Sequence, residues 1–203
     1  MAFRRAAERR GTPADLVVLG LGNPGAEYEH SRHNVGADTI ALLADRHGGR
    51  LKASKERALV AEVRIGTARV VLAFPQTFYN ESGNAARLLL ERHGIDDLNK
   101  LVVVHDEMDL PPGKLKVKVG GGLAGNNGLR SIRSHLHSTD FVRVRIGVGK
   151  PPGRQDGADH VLRRPSRAEQ ADFDVTIQEA ADAVEAILAE GPEAAMTRFN
   201  ARA

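Results

Sequence analysis

The chain contains no cysteine and no tryptophan, its aromatic content is only 4%, and no apolar run approaches the roughly 20 residues that span a bilayer. Without cysteine there are no disulfides, no thiolate zinc sites and no cysteine nucleophile, which fits a cytoplasmic protein. So few aromatic rings give little for a platform that stacks single-stranded bases, and any nucleic-acid contact would fall mainly on phosphates. The opening MAFRRAAERRGTPAD is Arg-rich but lacks the apolar core of a secretory signal. It reads as a flexible basic tail over residues 1–14 ahead of one domain over 15–203. An obvious serine nucleophile is missing too: there is no GxSxG, and Ser82 in FYNESG has no partner base nearby in the sequence.

What is present suits one α/β domain. The 203 residues, 41% hydrophobic, can bury a substantial core. LVVLGL (16–21) and LVVVHDE (101–107) read as buried strands, while ALVAEVRI and ARVVLAF, split by Gly66-Thr67, read as a hairpin. KLKVKV alternates as a half-exposed strand, and FVRVRIGVG is a strand with its arginines on one side. Helical spacing covers 35–47, 82–93 (stopping at Gly94) and 128–136, and PPGRQDG marks a loop. In the last third, Ser166 and Glu169 have capping-box spacing. Phe173, Ile177, Ala180, Val184 and Ile187 then form one packing face, until Gly191-Pro192 ends that helix and starts another. The expectation is a single mixed, twisted sheet flanked by helices, with a helical C-terminal segment.

The formal charge of +3 is mild, but its distribution is not even. Lys114, Lys116 and Lys118 fall on one strand face, and Arg143, Arg145, Lys150, Arg154, Arg163, Arg164 and Arg167 outnumber Asp156 and Asp159. Such a face attracts a polyanion by counterion release, although an ordinary solvated surface has the same composition.

Gly20, Gly22 and Gly25 form G-x-G-x-x-G after a strand, the pattern of a dinucleotide site. The context argues otherwise. AEYEHSR separates the third glycine from the helix, Pro24 removes an amide donor, and no second strand ends in an acid at the required distance. The glycines are better read as a tight turn that presents Asn23. HDEMD, at the end of a buried strand, suggests metal ligands. Strand alternation, however, sends His105 and Glu107 one way and Asp106 the other. A single Asp at a strand end suits the orientation of a histidine instead.

His33 in SRHNVG supplies such a histidine, near the start of a helix. Three polar, glycine-flanked segments, GNPG, FYNESG and GGGLAGNNG, follow strands, and loops at strand ends are where α/β sites assemble. They would bring Asn23, Asn80 and Asn127 near His33 and Asp106. This is a kit for general-base hydrolysis: a base to activate water, an acid to orient it, and amides to hold a carbonyl or oxyanion.

The ordered segments GLGNPGAEYEHSRHNVG, PQTFYNESG, HDEMDLPPGKLKVKVGGG, NGLRSI and FVRVRIGVG resemble the bacterial-type peptidyl-tRNA hydrolase family. That resemblance implies a monomeric cytoplasmic enzyme with no cofactor, no metal and no obligate protein partner. Its reaction would be cleavage of the ester joining a peptide to the 3′ end of tRNA. It implies His33 as catalytic base, Asp106 as its partner and Asn23 as a contact to the peptide near the ester. Tyr28, Phe78, Asn80 and Asn127 would line the cleft, and Lys116, Lys118 and Arg143 would face tRNA phosphates. Two residues depart from the family pattern: Tyr79, where Met is common, and Asn126, where His is common. Both swaps are expected to alter the cleft lining without touching the His33–Asp106 pair. Three rival readings are a non-catalytic RNA-binding relative like organellar splicing factors, a metallohydrolase at His105–Asp109, and a nucleotide-binding protein at Gly20–Gly25.

Overall fold

The computed structural model describes residues 13–151, 153 and 156–201. The basic tail therefore lies outside the described residues as far as position 12, as does Arg154. Ala14, assigned above to the tail, is instead buried and donates its amide to the His93 carbonyl at 3.0 Å.

Seven strands form one sheet: β1 (Leu16–Gly20), β2 (Lys52–Ala53), β3 (Ala58–Ile65), β4 (Ala68–Pro75), β5 (Leu101–Glu107), β6 (Leu115–Val119) and β7 (Val142–Gly147), in the order β2-β3-β4-β1-β5-β7-β6. The four central strands β4, β1, β5 and β7 are parallel and covered on both faces, which explains the apolar runs 16–19, 70–73 and 101–104, whereas β7 carries Arg143 and Arg145 on one face. The edges are antiparallel: β3 pairs with β4 across Gly66-Thr67, and β6 pairs with β7.

Helices cover both faces. On one side α1 (Val35–Arg46), α5 (Arg167–Glu190) and α6 (Pro192–Asn200) bury Val18, Leu72, Val104, Val144 and Ile146. On the other, α2 (Ser82–His93) and α3 (Asn127–Leu136) bury Val17, Leu19, Val71, Val103 and Phe141. The remaining helix, α4 (Gly157–Leu162), is six residues long, too short for a periodic signal, and begins at the last residue of the PPGRQDG loop, where the sequence suggested no helix. The anticipated face of α5 is largely the buried one, except that Thr176 takes the interior place expected of Ile177, which is half-buried.

The start of α1 is what positions the site. Gly36 packs directly on the strand ends: a Cβ there would run into the Val104 carbonyl oxygen and the backbone of Leu21. Leu21 accepts from the Ala37 amide at 3.2 Å and donates to the Val104 carbonyl at 2.9 Å, so α1, β1 and β5 are tied at one point. The three-residue 3-10 turn Arg32–Asn34 precedes α1 and is thereby set over the end of β5.

The C-terminal helices brace the same turn. Arg32 is buried and forks onto both oxygens of Glu169 at 2.9 Å, while its other amino group donates to the carbonyls of Arg163 and Arg164. Glu169 also completes the capping box with Ser166. Hydrogen bonds from Ser166, together with Arg32, hold the Glu169 carboxyl down at about 2 from an ordinary 4.5. A depressed carboxyl stabilises the fold above the unfolded value and loses that effect as pH falls toward the folded one. Glu169→Gln is therefore expected to cost about 1 kcal/mol at pH 7. The gap between the variant and the parent should narrow at pH 3. Denaturant titrations at the two pH values check this, and an equal gap at both would show that the charge is not the source.

Candidate active site

Three chain segments and a strand end meet in a cleft of about 500 Å³. Asp106, the penultimate residue of β5, is buried on the face occupied by α1, whereas His105 and Glu107 point to the other face, as strand alternation requires. One carboxylate oxygen of Asp106, Oδ2, lies 2.9 Å from Nδ1 of His33. The other, Oδ1, accepts from the Tyr79 hydroxyl at 2.6 Å. Burial by itself would push the Asp106 carboxyl up, but the charge and hydrogen bond of His33, then the Tyr79 hydroxyl, hold it below the usual carboxylate range. Asp106 is therefore an acceptor at both oxygens, and Nδ1 of His33 carries the hydrogen between them.

Asn23, at the turn after β1, is nearly as constrained. Its backbone amide donates to Oδ1 of Asn34 and its carbonyl accepts from Nδ2 of Asn34, both at 2.9 Å. Its side-chain oxygen accepts from the Tyr79 amide at 2.8 Å. That last bond fixes the amide's orientation: Nδ2 of Asn23 is left to face the cleft. The G-x-G-x-x-G glycines serve this arrangement. A Cβ on Gly20 would strike the Gly36 carbonyl and one on Gly22 would press on the Asn34 side chain. The turn is thus a seat for α1 and Asn23, with a packing reason for glycine that no nucleotide is needed to explain.

Phe78 and Asn80 are exposed beside Tyr79 and line the cleft, as does Asn127 at the first turn of α3. Tyr28 does not line it. It sits half-buried on the turn between Gly25 and Ser31, which Arg164 holds from outside by donating to the carbonyls of Glu29 and Ala26. The cleft also has walls that the sequence did not reveal: Met108 after β5, and Gly157, Ala158, Val161 and Leu162 of α4. The one local signal for α4 is Asp156, whose side chain caps the Ala158 amide at 3.0 Å. Of the four exposed large apolar side chains among the described residues, three (Phe78, Met108 and Leu162) lie at this cleft.

Two expectations need correction. The GGGLAGNNG loop does not begin at the site's edge of the sheet, because β6 runs antiparallel to β7 and ends beside Val142, the start of that strand. The loop reaches the cleft by folding back across the sheet. It is held there by Arg143, whose guanidinium donates to the carbonyls of Gly120 and Gly122. Arg143 is 2% exposed and so is not a surface group for phosphate. Lys116 and Lys118 share its sheet face and are half-buried. Of the other basic residues in that region, Arg145 pairs with Glu107 and Lys150 with Asp109, both at 3.0 Å. These pairs also occupy Glu107 and Asp109 of HDEMD, while His105 turns its Nδ1 to the Asp106 carbonyl. Among the described residues, no three His, Asp or Glu side chains converge as a metal site.

The second correction concerns Tyr79 and Asn126, expected to leave the His33–Asp106 pair untouched. Tyr79 bonds Asp106 directly, and its ring stacks on the His33 imidazole with centroids 3.5 Å apart and planes 13° from parallel. Asn126 Nδ2 donates to the Tyr79 hydroxyl at 2.9 Å. Both departures therefore belong to the network around the pair.

Comparison with known proteins agrees with the geometry. The peptidyl-tRNA hydrolase family profile matches residues 17–203. A peptidyl-tRNA hydrolase of Kineococcus radiotolerans is 48% identical over 194 residues, covering 92% of this chain and 98% of its own. One from Cutibacterium acnes is 47% identical over 195 residues, covering 91% of this chain and 97% of its own. The crystal structure of peptidyl-tRNA hydrolase from Acinetobacter baumannii superposes with a TM-score of 0.86 at 34% identity, over 94% of this chain and 97% of that one. The cleft built by His33, Asp106 and Asn23 thus sits on a fold and a sequence matched over nearly their whole length, and the chain belongs to the peptidyl-tRNA hydrolase family.

Proposed function

We propose that the chain hydrolyses the ester between a peptide, or an N-blocked amino acid, and the 3′ end of tRNA, with His33 as general base. The observation that carries this reading is the His33–Asp106 pair beside an Asn23 amide locked with its donor toward the same cleft.

With Nδ1–H committed to Asp106, Nε2 is the ring's basic nitrogen. It takes a proton from a water molecule, whose oxygen adds to the ester carbonyl carbon. The carbonyl oxygen gains negative charge as this bond forms, and Nδ2 of Asn23 is a preorganised donor for it. Collapse of the tetrahedral intermediate breaks the bond to the ribose oxygen. That oxygen recovers the proton from the His33 imidazolium, leaving free tRNA and a carboxylic acid, which then loses its remaining proton to solvent as a carboxylate. Asp106 remains ionised throughout and stabilises the transient imidazolium.

Phe78, Met108 and Leu162 supply apolar surface for a peptide or terminal base, and Asn80 and Asn127 supply polar contacts. Lys116 and Lys118 are the groups on the sheet edge suited to phosphates, and each phosphate contact adds to the salt dependence of binding. A monomeric enzyme belongs to the same proposal, and a tRNA substrate is consistent with work in the cytoplasm. Among the described residues no helix is long and apolar enough to cross a membrane.

The test is release of N-acetyl-amino acid from N-acetyl-aminoacyl-tRNA with EDTA present. Multiple turnovers are expected, with unblocked aminoacyl-tRNA a poorer substrate. Binding of tRNA without release would overturn the hydrolase reading in favour of an RNA-binding protein, and activity abolished by EDTA would overturn the metal-free mechanism.

A further inference from the structure

Tyr79 is in contact with every part of the proposed machinery. Its hydroxyl bonds Asp106, its ring covers a face of His33, and its backbone amide holds the Asn23 side chain. It is also buried, at 4% exposure, so its hydroxyl cannot exchange these partners for water.

The direction of each hydrogen bond in this network is determined. Asn126 is the N-cap of α3, and its Oδ1 accepts from the Leu129 amide at 3.0 Å. Its Nδ2 must therefore point at the Tyr79 hydroxyl oxygen, where it donates. A hydroxyl has one hydrogen to give. With a donor already on one side, the Tyr79 hydrogen goes to Oδ1 of Asp106. The chain thus runs from the cap of α3 through Asn126 and Tyr79 to Asp106, where His33 donates from the opposite side. Burial and the neighbouring Asp106 push the Tyr79 phenol well above its ordinary range, so it stays a donor.

We infer that Tyr79, held by Asn126, is a positioning residue that sets how strongly Asp106 binds the proton of His33. The inference rests on the proposed function, in which His33 is the base. A carboxylate that shares one oxygen with a phenol at 2.6 Å has less negative charge to offer an imidazolium at the other. The relay therefore gives Asp106 a weaker hold on an imidazolium than an unshared carboxylate would have. It also pins the carboxylate plane, which aims the imidazole.

The ionisable groups around the pair are few. Strand β5 supplies His105 and Glu107 on the opposite face, with Glu107 already paired to Arg145. The 3-10 turn carrying His33 contains Arg32, committed to Glu169. From α4 come Asp159, which is exposed, and His160, whose Nε2 faces the Val148 carbonyl. The turn carrying Tyr79 contains Glu81, which is exposed. Among all these, only Tyr79 and His33 hydrogen-bond the Asp106 carboxylate.

The experiment compares the full-length protein with Tyr79→Phe, Asn126→Ser and the double variant. Phenylalanine keeps the stacked ring and removes only the hydroxyl, while serine keeps a helix cap and is too short to reach Tyr79. For each, kcat/KM on N-acetyl-aminoacyl-tRNA is measured from pH 5 to 9, and the His33 ring is titrated by NMR. Tyr79→Phe is expected to move the acidic limb of the profile, and the NMR midpoint of His33, up by about 0.5–1 pH unit. Asn126→Ser should move both in the same direction by less, and the double variant should match Tyr79→Phe alone, because Asn126 acts through the hydroxyl. Loss spread equally over all pH values with an unmoved midpoint would reduce Tyr79 to packing and overturn the inference. So would additive effects in the double variant. Should phenylalanine unsettle the core, Asn126→Ser reads the same relay from its far end. A parent profile with no acidic limb would instead overturn His33 as the base, whereas the NMR midpoints still report the relay.

Discussion

Alanine at position 33 is expected to lower kcat/KM for N-acetyl-aminoacyl-tRNA by about 10²–10⁴-fold, the usual contribution of a general base. The substitution removes the nitrogen that activates water and spares everything else in the cleft. Asn23 keeps its orientation, because Tyr79 and Asn34 hold it rather than His33. Asp106 keeps its bond from Tyr79, and the half-buried position of His33 lets water reach the other oxygen. Affinity for tRNA should change by less than threefold, since the cations proposed for phosphate contact, Lys116 and Lys118 among them, lie on the sheet edge rather than at His33. Single-turnover hydrolysis and filter binding on the same preparation separate the two effects. Retention of a tenth of the parental rate would rule out His33 as the base, and parallel loss of binding would point to a misfolded cleft.

The strands and long helices were readable because their signals are local. Apolar runs at 16–21 and 101–107, the Gly66-Thr67 hairpin, the stop at Gly94 and the Ser166–Glu169 box each reflect interactions within a few residues. The segments that meet in the cleft stood out for another reason: GNPG, RHNVG, FYNESG and HDE are unusual stretches that make little sense as core or surface. What could not be read is whatever depends on pairing direction and long-range contact. Alternation correctly places Arg143 on the same sheet face as Lys116 and Lys118. Whether that face is wet depends on the 120–126 loop folding back over it, and this follows from β6 being antiparallel. The role of Tyr79 was hidden in the same way. It joins residues 33, 79, 106 and 126, which no window along the chain contains together, so the sequence shows only two departures from a pattern and not the bond between them.

That bond makes the outcome at Asp106 depend on which replacement is chosen. Asp106→Asn is nearly isosteric, and the network dictates how the new amide must sit. Asn126 donates to the Tyr79 oxygen, so Tyr79 must still donate onward, and the residue at position 106 must present its carbonyl oxygen there. The amide nitrogen is then turned toward Nδ1 of His33 and donates to it. His33 is held in the tautomer with hydrogen on Nε2, which cannot accept a proton from water. Turnover is expected to fall about 10²–10³-fold, with the fold close to the parent in stability, because every buried group keeps a partner. Asp106→Ala breaks the opposite side of the balance. It leaves the imidazole free to adopt either tautomer, so some basic His33 survives and the rate should exceed that of Asp106→Asn. It also strands the buried Tyr79 hydroxyl, which costs about 1–3 kcal/mol. The expected order is therefore reversed between the two readouts: Asn is the slower enzyme and the more stable protein. Steady-state rates and thermal denaturation of the two variants check this, with a ring-nitrogen NMR spectrum of His33 reporting the tautomer. An Asp106→Asn enzyme faster than Asp106→Ala, or one with Nδ1 still protonated, would show that Asp106 contributes by charge alone and not by choosing the nitrogen that stays basic.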